Sequence, residues 1–200
     1  PPSGRRRFLD ILLSQADRLY LKGLQRYQRV LQQRNQLLRM LRDGRAERNE
    51  LVFWDDELVR EGSWITLRRA ETMGELTAAA LRHHEELSDL DENLTIEYRP
   101  SVALAGAVKE IEDNFREALA LVIHGERMRP VTTVGPHRDD FNLMIKGANM
   151  GAFASRGQAR TTALALRLAE AEFLASIRGE RPVVLLDDAL SEMDSYRRHC

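Results

Sequence analysis

Two aspartates at the end of an apolar run carry the most chemistry in this sequence. In "PVVLLDD" at 182–188, four hydrophobic residues lead into Asp187 and Asp188. Such a run reads as a short buried strand whose carboxyl end delivers acids to a site. Burying both carboxylates unpaired would cost several kcal/mol. At the strand's edge, one can hold Mg²⁺ through oxygen or water while the other orients an attacking water. Upstream, "ASRGQ" at 154–158 sets Ser155 and Gly157 at the start of a helical pattern. Free amides and the helix dipole favour a phosphate there. Each motif has a plainer reading: a strand that ends in an Asp-Asp turn, and a serine that only caps its helix. Their conjunction, Ser-x-Gly-Gln, helix, apolar strand, Asp-Asp and then "SEMD" at 191–194, looks like half of a nucleotide-hydrolysing site.

The elements that must position these residues follow from periodicity. From Phe8 to about Arg42 there is no proline and a single glycine, and Tyr20, Leu24, Tyr27, Leu31, Arg34, Leu38 and Leu41 recur at alternating spacings of four and three. That is a helix seam, broken only by Arg34. A polar turn at 42–49 leads to a second helical pattern through Leu51, Trp54, Leu58, Ile65, Thr72, Leu76 and Ala79, so two antiparallel helices are expected, with a bend at Gly62. "LTIEYRP" at 94–100 alternates like a strand, and Ser101 is the expected cap of a third helix with Val108, Ile111, Phe115 and Leu119 on one face. Strand-like runs follow at 131–134 and 141–146, then a helix from Gly157 to about Ile177. The expected fold class is therefore α/β, with a mostly helical region at 1–125 and an α/β region at 126–200.

Composition narrows the class without naming it. The chain has 200 residues, 43% of them hydrophobic, and a formal net charge of −1. Residues 1–50 hold 12 Lys+Arg against 5 Asp+Glu, so the basic charge is concentrated in the helical half. That bias fits a polyanion partner or a solvated helix face. Cys200 is the single cysteine, so no internal disulfide forms, and a reducing cytoplasm is the expected compartment. No apolar run approaches membrane-spanning length. Both ends, "PPSGRRRFLD" and "SYRRHC", read as cuts through a longer protein.

Several segments together resemble the RecF family of SMC-like, ABC-type ATPases, which act in DNA recombination and repair at single-strand gaps. They are "RRRFLD" at 5–10, "YLKGLQRYQRVLQQRN" at 20–35, "VGPHRDDF" at 134–141, "ALALRLAEAEFL" at 163–174 and "LLDDALSEMD" at 185–194, in family order. The resemblance implies a helical arm joined to the C-terminal part of an ABC head with a β-sheet. It makes Ser155, Gly157 and Gln158 the signature that grips the γ-phosphate of ATP held by a second subunit. It makes Asp187 the Walker B magnesium ligand, Asp188 the residue at the catalytic position, and Ser191, Glu192 and Asp194 part of the D-loop at a dimer interface. The family's usual Ser-Gln-Gly-Gln-Gln-Arg is altered, with Arg156 and Ala159 in place of glutamines. ATP and Mg²⁺ are the implied cofactors. DNA at junctions of single and double strands, the RecR protein and an ATP-dependent second copy are the implied partners. Recombinase loading and the SOS response are the implied context.

No G-x-x-x-x-G-K-[ST] loop occurs, because Lys22, Lys109 and Lys146 each follow Leu, Val or Ile. The chain alone is therefore expected not to hold ATP tightly. Two rival readings are a non-enzymatic helical interaction module and a metal-dependent nuclease that uses His137, Asp139 and Asp140 with the later aspartates. In "GPHRDD" the plainer expectation is structural, with Asp139 pairing Arg138 or capping backbone amides. His83 and His84 read as a solvated pair, and Trp54 and Trp64 as packing residues.

Overall fold

A computed structural model of the protein describes residues 1–88 and 92–184. In chain order these form α1 (Pro2–Ala16), α2 (Arg18–Arg42), α3 (Leu51–Leu87), β1 (Leu94–Arg99), α4 (Val108–Met128), β2 (Asp140–Ile145), β3 (Ala148–Asn149), α5 (Met150–Phe153) and α6 (Arg156–Arg178). Short 3₁₀ turns lie at Arg48–Glu50 and Pro136–Arg138. The chain is mostly helical with a small sheet, as expected. It packs as two compact units, one of Pro1–Ala70 with Arg99–Asp140, the other of Glu71–Tyr98 with the described residues from Phe141 on. The 125/126 boundary read from the sequence separates motifs, whereas these units separate packing and interleave along the chain.

In the first unit, the single helix expected over 8–42 is two helices. Asp17 leaves helical geometry (φ −137°, ψ 115°) while its N–H still bonds Leu13 O, and its carboxylate accepts from Leu19 N at 2.7 Å. One acidic cap closes α1 and opens α2 without a glycine or proline. The seam holds: Tyr20, Tyr27, Leu38 and Leu41 are buried, and Leu24 and Leu31 are half-buried. Tyr20 and Tyr27 share a core with Leu58, Val59 and Ile65 of α3 and Ile111, Phe115 and Leu119 of α4, with Trp54 and Trp64 at its margin. Each such side chain contributes roughly 1.5–3 kcal/mol on full burial.

Arg34, the residue that broke the seam, is fully buried there. Its guanidinium donates to Asp55 Oδ1 (2.6 Å), to Glu126 Oε2 (2.7 Å) and to Thr132 Oγ1 (2.8 Å). Glu126 is also fully buried, and the pairing is what allows either charge to leave water. This network removes the strand expected at 131–134. Thr132 N donates to Asn35 Oδ1 (2.7 Å) and Thr133 N to Glu126 Oε1 (2.6 Å), so side chains take the amides that a ladder would need. Ser101 is likewise no helix cap. α4 begins after Ala107, and Ser101 Oγ instead accepts from Gly135 N (2.7 Å) and donates to Gly135 O (2.8 Å). Gly135 sits at φ 121°, a conformation that favours glycine.

The second unit holds the last turns of α3, nearly all of the sheet, and α6. The strand order is β1-β2-β3, with β2 and β3 antiparallel and Met144 opposite Asn149. β1 and β2 match the strands expected at 94–100 and 141–146. Leu87 of α3 packs with Leu164 and Ala165 of α6.

α3 is continuous through Gly62, so the glycine does not interrupt the helix. The glycine is there for space. A Cβ at Gly62 would meet Phe115 Cε1 at 2.6 Å and Tyr27 Cε2 at 3.0 Å. At an open helix position Gly→Ala gains about 1 kcal/mol. Here Gly62→Ala is expected to lower stability by about 1–3 kcal/mol through overpacking. The denaturant midpoint checks this, and a raised midpoint would contradict it.

Candidate functional site

The first turn of α6 is built by reciprocal capping. Ser155 lies in extended geometry (φ −65°, ψ 160°), and its Oγ accepts from Gln158 N at 3.1 Å. Gln158 Oε1 accepts in return from Ser155 N at 3.0 Å. This capping box was not read from the sequence, though Ser-x-x-Gln ahead of an apolar-periodic run is its signature. It occupies the Gln158 amide. The first amides of a helix, here those of Arg156 and Gly157, have no acceptor within the helix. Ser155, Arg156 and Gly157 are all exposed, and the turn holds no acidic residue. The N-terminal end of a 23-residue helix thus faces solvent with a hydroxyl, two amides and a guanidinium. That is the chemistry of an anion site.

Asp187, Asp188, Ser191, Glu192 and Asp194 lie outside the described residues. Of the strand expected at 182–188, the described part is irregular, with Val183 88% exposed. Gln158 also reaches Glu92, with Nε2 donating to Oε1 at 3.3 Å. Nothing in the spacing of the sequence pointed to Glu92, which is distant in sequence and sits in no motif.

The "GPHRDD" turn is a structural clamp. Asp139 caps the Ser101 amide (2.8 Å), as expected, but its cationic partner is Arg69 (3.1 Å) rather than Arg138. Arg69 is buried on α3 and also donates to Asp10 Oδ1 (2.7 Å), Tyr20 Oη (3.1 Å) and Pro136 O (2.6 Å). Arg5 forks onto Asp140 at 2.6 and 2.7 Å, and Arg6 donates to Asp139 O at 2.9 Å. Two segments singled out separately, "RRRFLD" and "GPHRDD", are thus partners of each other. His137 is engaged at both nitrogens: Nε2 lies 3.0 Å from Thr132 O and Nδ1 2.7 Å from Tyr27 Oη. A carbonyl only accepts, so Nε2 carries the proton and the tyrosine hydroxyl donates to Nδ1. Among the described residues, no group of three or more His, Cys, Asp or Glu could hold a metal ion.

His83 and His84 are not a solvated pair. His83 Nε2 contacts Glu172 Oε2 at 3.0 Å, and Arg82 donates to the same carboxylate at 2.8 Å. The Arg82 hydrogen bond holds the Glu172 carboxyl below its ordinary range. His84 is buried and faces Glu92. Both histidines follow from the packing of α3 on its own unit, which residue type alone does not disclose.

This architecture has known counterparts over its whole length. A solved structure described as the recombination mediator protein RecF with ATP in the RecFOR pathway matches with a TM-score of 0.92 at 33% identity, covering 100% of this chain and 53% of that one. The DNA replication and repair protein RecF of Herpetosiphon aurantiacus is 44% identical over 199 residues, covering 98% of this chain and 50% of that protein. Its counterpart in Symbiobacterium thermophilum is 42% identical over 202 residues, covering 100% and 53%. No protein-family model matches the chain. The fold is that of a helical arm with part of an ABC-type ATPase head. The chain belongs to the RecF family. It spans about half the length of the relatives it matches. Among the described residues no helix is long and apolar enough to cross a membrane.

Burial lowers the pKa of His137 from its ordinary value. The unfolded chain therefore binds a proton that the folded one resists. The stability this histidine contributes is complete above its unfolded value of about 6.5 and is lost as pH falls towards the lowered one. The denaturant midpoint is expected to drop as pH falls below about 6.5, and to drop less in His137→Gln. Identical pH profiles for variant and parent would contradict this.

Proposed function

We propose that this chain is the part of a RecF-type DNA recombination and repair ATPase that contributes the phosphate-facing signature and the Walker B carboxylates. The observation that carries the reading is the exposed first turn of α6. Ser155, Arg156 and Gly157 stand exposed at the head of a 23-residue helix whose first turn contains no acid of its own. The RecF structure that this chain matches was solved with ATP, which supports ATP as the anion. The full-length protein binds Mg-ATP, whose γ-phosphate is the reacting group. Ser155 Oγ and the Arg156 and Gly157 amides meet that phosphate. Asp187 holds the magnesium and Asp188 orients the attacking water, a role that in general acid–base catalysis contributes about 10²–10⁴-fold.

The phosphate met by α6 belongs to another copy. No lysine in this chain follows a glycine, so these residues hold no lysine loop to cradle a nucleotide. Contact across a dimer makes ATP the link between two heads, with Ser191, Glu192 and Asp194 at the junction. DNA at junctions of single and double strands and RecR are the partners, in the cytoplasm, with recombinase loading as the output.

The capping geometry supplies a clean test. Aspartate is as good an N-cap as serine. Ser155→Asp in the full-length protein therefore keeps the helix start but sets a carboxylate against the phosphate. Nucleotide binding to the monomer is expected to stay at the parental level. ATP-driven dimerisation is expected to weaken at least roughly tenfold, because like charges brought together across an interface cost several kcal/mol. Light scattering with and without ATP reads the second quantity. A variant that dimerises like the parent would reduce Ser155 to a helix cap.

A further inference from the structure

Glu92 is an acid in the wrong place for an acid. It is 5% exposed, yet it lies in no catalytic motif, and among the described residues its side chain meets an amide and an imidazole. A carboxylate taken out of water is costly unless donors meet it. Gln158 Nε2 meets Oε1 at 3.3 Å. His84 Nε2 stands 3.3 Å from Oε2, within ion-pairing distance though off hydrogen-bonding angles. The main chain of Glu92 is held as well, since its carbonyl accepts from Lys146 N at 3.2 Å. On either side of that bond the backbone turns left-handed, at Asn93 (φ 45°) and Lys146 (φ 50°). Asparagine tolerates this region, but a lysine keeps it only where its surroundings hold it there.

The direction of one amide follows from this. A carboxylate accepts and never donates, so Gln158 must turn its NH₂ towards Glu92. Its oxygen is then left for Ser155 N, which it meets at 3.0 Å. With the amide reversed, NH₂ would face N–H and the capping box would open. We propose that Glu92 is a positioning residue for the first turn of α6. It selects the Gln158 orientation that keeps the box closed, and so holds Ser155 Oγ and the Arg156 and Gly157 amides in the geometry that receives a phosphate. The phosphate itself rests on the reading of α6 given above. The selection of the amide does not.

Amide hydrogen exchange in the full-length protein without nucleotide separates the two. Glu92→Leu is expected to speed exchange at Gln158 and Ala159 roughly fivefold, the scale of a lost cap. The last turn of α6, where Gly179 N bonds Ala175 O, should exchange as in the parent. Glu92→Gln should restore protection, since its amide still offers an oxygen to Gln158. Gln158→Leu alone should reproduce the opening, and adding Glu92→Leu to it should change nothing more. Unchanged exchange in either Leu variant, an effect of Glu92→Leu that persists without Gln158, or a Glu92→Gln variant as open as Glu92→Leu would each overturn the proposal. ATP-driven dimerisation, read in parallel by light scattering, should fall in Glu92→Leu. A parent that does not dimerise with ATP would overturn the reading of α6 while the exchange data still decide the role of Glu92.

Discussion

A charge that leaves water must meet its partners, and two such charges, Arg34 and Arg69, set the internal order of the first unit. Arg34 is 0% exposed and holds α2, α3, α4 and the 131–134 segment through Asp55, Glu126 and Thr132. Arg69 holds α1, α2, α3 and the "GPHRDD" turn through Asp10, Tyr20, Pro136 and Asp139. Apolar contacts supply most of the folding free energy but are indifferent to small shifts in register. An unpaired buried guanidinium is not indifferent, because breaking such a pair costs about 3–5 kcal/mol. These networks therefore fix which of many tolerable packings is adopted.

Legibility tracked the range of the interaction. Local signals were read well. The heptad spacing of Tyr20, Tyr27, Leu38 and Leu41 marked the buried face of α2, and alternation marked β1 and β2. Signals that depend on a distant partner were not. Thr132 and Thr133 have strand-forming chemistry, yet Asn35 and Glu126 claim their amides from 97 and 7 residues away. The close packing that Gly62 permits was not visible, because Phe115 is remote in sequence. Asp17 breaks a helix with one side chain where glycine or proline would have been visible. At the candidate site, Ser155, Gly157 and Gln158 were legible from residue type and order. Glu92 was not, since a lone glutamate carries no spacing.

On the proposed reading, the same atoms serve structure and function in the first turn of α6. A capping serine and a phosphate-binding serine are alternative readings of one hydroxyl, and the geometry makes them compatible. Ser155 Oγ accepts from Gln158 N through a lone pair and keeps its own hydrogen to donate. Capping also orders the two amides that follow, so a stable helix start is a preorganised anion site. On the proposed reading, a fold-stabilising element would also be a contact between subunits, with nucleotide supplying what neither copy supplies alone.

On the proposed reading, the α6 N-terminus receives a phosphate from a second subunit. Hydrogen exchange at the Arg156 and Gly157 amides of the full-length protein, with and without Mg-ATP, tests it most directly when measured at protein concentrations above and below dimerisation. ATP is expected to protect these amides only where dimers form. Protection that is equal in the monomer, or no protection in the ATP-bound dimer, would contradict it.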